Sequence, residues 1–176
     1  MGALSPKAAR FPDSLKNRQK DMNAIRVLLG IVVCAFAVGA MQPGAAAQTG
    51  EEYEVFRLVN AERARRRLGS LEWDEEIARV ARNYSRQMAR ENFFGHYDGK
   101  GRTVSDRASD ARWSKIGENL FTCTGMDDFT AFSVSGWMRS PSHRTNILDR
   151  EWTETGIGVH RTRDGEVFVT QVFLMR

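Results

Sequence analysis

Two β-rich runs near the C-terminus constrain the fold of this chain more than any other feature. They span residues 155–159 and 167–173, and Arg163-Asp164-Gly165 between them is typical of a tight turn. This pattern predicts an antiparallel hairpin. The segments before the hairpin have helical character, and helices followed by antiparallel strands predict an α+β fold with helices packed over a small sheet.

Two long helical patterns come first. Residues 51–68 have helical composition, and Gly69 is suited to end a helix at that point. The second pattern is clearer, because Asp74 is a good N-cap and an apolar stripe follows it. That stripe consists of Ile77, Val80, Ala81, Tyr84 and Met88. We therefore expect two helices that each bury one face.

Shorter elements follow. Residues 103–106 have the spacing of a capped short helix, and residues 113–124 indicate an extended or loop segment. Residues 127–138 have a helical pattern again. Ser140 and Pro141 then suit the N-cap and the first position of a further helix.

The first 47 residues have the features of an export signal. An uncharged, mostly apolar run from Val27 to Met41 follows Arg26, and Ala45-Ala46-Ala47 is suited to cleavage. We predict residues 1–47 to be a signal peptide cleaved after Ala47, with Met22 as an alternative true start. The other interpretation is an uncleaved anchor formed by residues 27–47. Residues 48–176 then form one domain that is secreted or extracytoplasmic.

The high pI of the chain belongs to its N-terminal segment. The first 47 residues hold six of the 26 basic residues and two of the 22 acidic ones, so residues 48–176 are formally neutral. A neutral domain gives no global signal for nucleic acid or an anionic membrane. We therefore expect no nucleic-acid partner, and membrane contact only through an uncleaved signal segment.

Residues 63–67 contain a local cluster of arginines, Arg63, Arg65, Arg66 and Arg67. The favoured interpretation is a solvated helix end, where cations suit the negative end of the helix dipole. An anion site is the alternative. Cys123 is the one cysteine after residue 47, so no disulfide is expected within that domain.

Three separated residues are candidates for chemistry. His143 falls in the first turn of the helix that Ser140 begins, where backbone donors and the helix dipole favour a neutral ring with a lone pair. Glu118 lies between apolar residues and needs a partner, because an unpaired buried carboxylate costs several kcal/mol. An imidazole such as that of His96, which follows a turn, is a suitable partner. His160, beside the hairpin turn, is predicted to lie on the surface.

Seven short stretches, in order and at plausible spacings, resemble the CAP superfamily. This superfamily comprises cysteine-rich secretory proteins, venom antigen 5 and plant pathogenesis-related proteins, together with a bacterial SCP-like branch that the chain resembles most. The stretches are residues 58–63, 71–73, 94–96, 117–119, 137–148, 155–159 and 170–173. They extend over nearly all of residues 48–176, the expected CAP domain.

The resemblance implies a three-layer α-β-α sandwich with a small antiparallel sheet and a central cleft. It places His96, Glu118 and His143 in that cleft, where some relatives hold a divalent metal, often zinc. The family's other glutamate has no clear match, and its position falls near Ser140.

Two functions follow from these residues, and the sequence leaves open whether the protein is an enzyme. In the favoured one, the cleft of a secreted protein binds a divalent metal, a small or lipid-like ligand, or a cell-envelope component. In the other, the protein is a zinc-dependent, peptidase-like hydrolase in which His96 and His143 ligate the metal and Glu118 is the general base or a third ligand. The chain has no His-Glu-x-x-His helix and no Gly-x-Ser-x-Gly elbow.

Overall fold

The computed structural model describes residues 49–176. The predicted signal peptide, the alternative start at Met22 and the possible anchor at residues 27–47 lie outside the described residues. Within residues 49–176, no helix is both long and apolar enough to cross a membrane.

Five helices and four strands make up the described part of the chain. The helices are α1 (Gly50–Ala64), α2 (Glu75–Glu91), α3 (Val104–Arg107), α4 (Phe129–Arg139) and α5 (Pro141–Leu148). The strands are β1 (Glu72–Trp73), β2 (Lys115–Thr124), β3 (Glu154–Arg161) and β4 (Glu166–Met175). The predicted hairpin is β3 and β4.

The four strands form one sheet in the order β1-β3-β4-β2. β4 pairs antiparallel with both β2 and β3, whereas the two-residue β1, which the sequence analysis did not predict, pairs parallel with β3. Strand β2, the segment predicted as extended or loop, is therefore an edge strand.

The alternation of residues along β4 shows the three layers. Val167, Val169 and Phe173 belong to the core cluster that includes residues of α1, α4 and α5. Their neighbours Val172 and Leu174 belong to a cluster built on α2. Successive side chains of a strand point to opposite faces, so helices cover both faces of the sheet. The predicted α+β fold and α-β-α sandwich are confirmed.

Helix α2 lies unusually close to β3. A Cβ atom on Gly158 would lie 2.0 Å from the backbone nitrogen of Arg82, and one on Gly156 would lie 2.2 Å from that of Ala78. Both neighbours are backbone atoms, which cannot move aside as a flexible side chain could. The two glycines of the Thr155–Val159 stretch are therefore required for the helix to reach the sheet.

The predicted start of α2 agrees with the structure, but the predicted end of α1 does not. Asp74 caps α2, since its Oδ1 accepts from the Ile77 amide at 2.8 Å. Helix α1, however, ends at Ala64 and not at Leu68. The Leu68 amide donates to the Arg63 carbonyl at 3.1 Å while Arg67 adopts a left-handed φ of 58°. This closing turn takes the role that the sequence analysis gave to Gly69.

The prediction of a solvated arginine cluster was wrong for one of its members. Arg65 and Arg66 are exposed and pair with Glu62, as expected of a helix end. Arg63 is buried and donates to the carbonyl oxygens of Gly69, Ile147 and Asp149, each at 2.8 Å. It therefore ties α1 to the end of α5.

Candidate functional site

Glu118 is the buried centre of the candidate site. It lies on β2, and its side chain is only 3% exposed. Its Oε1 is 2.9 Å from Nδ1 of His96, and its Oε2 accepts from Nη2 of Arg107 at 2.6 Å. The expected imidazole partner is thus present, together with a cation that the sequence analysis did not single out.

Arg107 is held in place from several sides. It ends the short helix α3, and its side chain is 7% exposed. Its guanidinium carbon lies 3.3 Å from the centre of the Tyr84 ring, and Nη1 donates to the Arg102 carbonyl at 2.9 Å. Burial raises the pKa of Tyr84 to about 12, so this ring stays neutral beside the cation. No local motif marks Arg107 in the sequence, because its partners come from other elements.

His96 lies on the connection between α2 and α3. Asp98 orders this connection, because its carboxylate accepts from the Lys100 and Arg102 amides, both at 2.9 Å. The Arg102 amide, more than any other group, lowers the pKa of Asp98 to about 2. The His96 side chain is 53% exposed. A carboxylate ion-paired to arginine only accepts, so Nδ1 of His96 carries the hydrogen of this bond.

His143 reaches the site from α5, in the opposite helical layer. Its Nδ1 is 3.0 Å from the hydroxyl oxygen of Ser140. Ser140 and Pro141 occupy the predicted first positions of α5, but the Ser140 side chain does not cap the helix, because it binds the imidazole. Burial lowers the pKa of His143, and the charge of His96 lowers it further. Both effects favour the neutral form of the ring.

Two asparagines connect the layers through the edge strand. Asn119 points to the face of β2 opposite Glu118, and its Nδ2 donates to the His143 carbonyl at 3.1 Å. Asn146 of α5 donates to Asn119 Oδ1 at 2.9 Å and to the Glu118 carbonyl at 3.2 Å. The site thus surrounds the free edge of β2. His96 and Glu118 approach from one side of the sheet and His143 from the other.

The three predicted site residues are not equivalent in the structure. His96 and Glu118 are hydrogen-bonded, whereas His143 makes its side-chain hydrogen bond to Ser140 and is linked to His96 only through the electrostatic effect of His96 on the pKa of His143. No group of three or more His, Cys, Asp or Glu residues within 49–176 has the geometry to hold a metal ion. His160, predicted to lie on the surface, is half-buried on β3.

The described chain belongs to the CAP family, the cysteine-rich secretory protein family, whose profile matches residues 56–173. That match includes His96, Glu118 and His143, and it confirms the resemblance stated from the seven short stretches.

Relatives in two Bacillus species match this chain in sequence, and a further solved structure shares its fold. The chain is 33% identical over 131 residues to the uncharacterized membrane protein YlbC of Bacillus subtilis. The aligned region covers 73% of this chain and 36% of YlbC. An extracellular protein containing an SCP domain from Bacillus anthracis is 32% identical, with a TM-score of 0.64 over 72% of this chain and 41% of that one. NaASP2, solved with Zn²⁺, is 14% identical with a TM-score of 0.55, over 74% of this chain and 82% of that one. The chain thus spans well under half of the two Bacillus relatives.

Proposed function

We propose that the protein is an exported CAP-domain binding protein whose cleft holds a divalent cation weakly through Nε2 of His96 and Nε2 of His143. Each ring has its Nδ1 occupied, by Glu118 in one case and by Ser140 in the other. A second hydrogen bond of this kind orients a ligating histidine and fixes its tautomer. Two protein ligands leave the remaining positions to water or to a bound molecule, so the cation exchanges readily.

The main support for this proposal is that both carboxylate oxygens of Glu118 accept hydrogen bonds. His96 takes one of its oxygens and Arg107 takes the other. A general base or a third metal ligand needs an oxygen lone pair that reaches the reacting water or the metal, and the Glu118 side chain is only 3% exposed, so its remaining lone pairs are shielded. Glu118 therefore supports the binding function better than the peptidase-like hydrolase, in which it would be the base.

Zinc is the cation to test first. NaASP2, whose similarity to this chain shows the fold alone, was solved with Zn²⁺. Imidazole nitrogen suits zinc among the divalent ions common in proteins. When bound, zinc would supply a Lewis acid that polarises an oxygen of a small ligand, while the two histidines of this chain would orient it.

A groove beside α5 supports a small or lipid-like ligand as the second occupant. It has a volume of about 530 Å³, and its walls include Met138, Pro141, Leu148 and Arg144. The same wall contains a second arginine and one aspartate, and this mixture of apolar and charged side chains suits an amphipathic molecule or a cell-envelope component. The groove lies along the helix that carries His143, so a ligand there would contact the same element.

Export is part of the proposal. The Bacillus anthracis relative is described as extracellular, and residues 1–47 have the sequence of a signal peptide. Reading the N-terminus of the protein released into the medium tests it. A first residue of Gln48 is the expected result, whereas retention in the membrane with residues 27–47 intact would show an anchored protein.

Titration calorimetry with ZnCl₂ tests the cation site. We expect His96→Ala and His143→Ala to weaken zinc binding about tenfold or more, since each removes a ligand. His160→Ala is the matched control, because it removes a half-buried histidine outside the site. Equal loss in all three variants, or none in the first two, would contradict the assignment.

The hydrolase alternative needs its own measurement. A panel of peptide and ester substrates, assayed with zinc present, is expected to show no turnover by the wild type. Turnover that disappears in both Glu118→Gln and His143→Ala would instead establish the hydrolase, with Glu118 acting as base.

A further inference from the structure

A second pocket lies at the end of α1, and its lining includes none of His96, Glu118 and His143. It has a volume of about 520 Å³, and three arginines line it, Arg63, Arg67 and Arg150. Glu72 is the one acidic residue among its lining residues. The pocket is therefore strongly cationic, although residues 48–176 as a whole are neutral.

Arg63 provides a fixed, buried charge in this pocket. Its guanidinium donates to three backbone carbonyls and forms no ion pair with any residue in 49–176. Burial lowers its pKa, and the charge of Asp149 offsets part of this effect. The Asp149 carboxylate itself binds Lys115 at 2.6 Å. The wall of the pocket thus contains a cation whose charge no contacting carboxylate neutralises.

The other two arginines are exposed and differ from their neighbours. Arg65 and Arg66 are both paired with Glu62. The side chains of Arg67 and Arg150 make no hydrogen bond or ion pair with any residue that the structure describes, and both line the pocket. Within the arginine cluster, Arg65 and Arg66 are thus ion-paired, whereas Arg63 and Arg67 line the pocket.

A third feature is a hydrogen-bond donor without a partner. Trp152 lines the pocket and is 4% exposed. Its indole N–H is buried and donates to no acceptor in the described part of the chain. Buried donors are nearly always paired, so an unpaired one beside a cationic pocket is consistent with a missing acceptor.

We propose that this pocket binds a small, multiply charged oxyanion that carries phosphate or carboxylate groups. Three guanidinium groups against one carboxylate favour a ligand with about two negative charges, and guanidinium groups match the planar pairs of oxygens in phosphates and carboxylates. The pocket is larger than a single phosphate and falls within the usual range for small-molecule sites. The ligand therefore has a body beyond its charged group.

Calorimetry with two probes, inorganic pyrophosphate and citrate, tests this proposal and distinguishes phosphate from carboxylate chemistry. The wild type is expected to bind at least one of them. Arg67→Gln and Arg150→Gln should each weaken that binding about tenfold, because each removes a charge-assisted hydrogen-bond donor. Both side chains are exposed, so the melting temperature should not change.

Arg65→Gln is the matched control, because it removes the same charge from the same helix end without lining the pocket. We expect it to change the affinity by less than twofold. A wild type that binds neither probe would overturn the proposal. So would equal losses in Arg65→Gln and Arg67→Gln, which would show only nonspecific attraction. Zinc binding at His96 and His143 should be unaffected in all three variants, so this test is independent of the cation site.

Discussion

Two buried glutamates of this domain have an arginine partner, and only one of them belongs to the candidate site. Glu52 of α1 is fully buried and accepts from Nη2 of Arg82 at 2.8 Å and from Nε at 2.9 Å. Its two oxygens also accept from the Thr49 and Val159 amides at 3.0 and 3.3 Å. Glu118 is nearly as buried, but one of its two partners is an exposed imidazole.

This difference separates a structural ion pair from a site. Glu52 is surrounded by groups that belong to the fold, so its charge serves only to hold α1, α2 and β3 together. Glu118 instead forms a hydrogen bond with the His96 imidazole, whose side chain is 53% exposed. A buried carboxylate therefore indicates chemistry when one of its hydrogen-bond partners has a second, accessible polar atom.

The largest expected effect comes from breaking the structural pair. Arg82→Met leaves Glu52 charged and buried, and we expect it to lower the free energy of unfolding by about 3–5 kcal/mol. Urea denaturation measures this. Arg79→Met is the control on the same helix, because its side chain is 66% exposed and 3.9 Å from Glu76, and it should cost less than about 0.5 kcal/mol. A loss below about 1 kcal/mol in Arg82→Met would contradict the structural role.

Arg107→Met is the corresponding change at the site, and its expected effect is smaller. Glu118 keeps its hydrogen bond to His96 and loses one from Arg107, whereas Glu52 loses three from Arg82, so we expect a loss of about 1–3 kcal/mol by the same urea measurement. A loss equal to that of Arg82→Met would show that the imidazole contributes nothing to holding the charge. The two glutamates would then be equivalent, and the comparison would fail.

Parts of this comparison could be predicted from the sequence. The burial of Glu118 and its imidazole partner followed from its apolar neighbours, and the start of α5 followed from Ser140 and Pro141. These are local signals, in which residue type and spacing fix the geometry.

Arg107 and Arg63 could not be predicted in the same way. Arginine is usually exposed, so a charged residue in a helical turn is expected to face solvent. Arg63 is buried because carbonyls more than 80 residues away accept from it, at Ile147 and Asp149. Arg107 is buried because a ring on α2 and a carboxylate on β2 meet at α3. Only the tertiary fold contains this information.

A substitution at Ser140 tests the candidate site, which is the region of the comparison with an exposed imidazole. Ser140→Ala removes the hydrogen bond that orients His143, and we expect zinc affinity to fall about tenfold with little change in stability. Ser142→Ala is the control, since Ser142 is exposed and its hydroxyl lies 3.4 Å from that of Ser140. Calorimetry measures both. If the two variants bind zinc equally well, Ser140 does not position the ring.

The pH dependence of stability gives the smallest expected effect and separates the two regions most directly. The pKa of His143 lies below its ordinary value of 6.5, so the unfolded chain binds more protons at this position than the folded one. Its contribution to stability is present above pH 6.5 and is lost as the pH falls through the lowered pKa of the folded state. Urea denaturation between pH 5 and pH 7.5 should therefore show a smaller pH slope of the free energy of unfolding in His143→Gln than in the wild type.

His160→Gln is a necessary comparison, because burial also lowers the pKa of His160. No histidine forms a hydrogen bond with Glu52 among the described residues, so the Glu52–Arg82 pair adds no histidine contribution to this slope. An unchanged slope in His143→Gln would show that this imidazole is not buried as the structure has it.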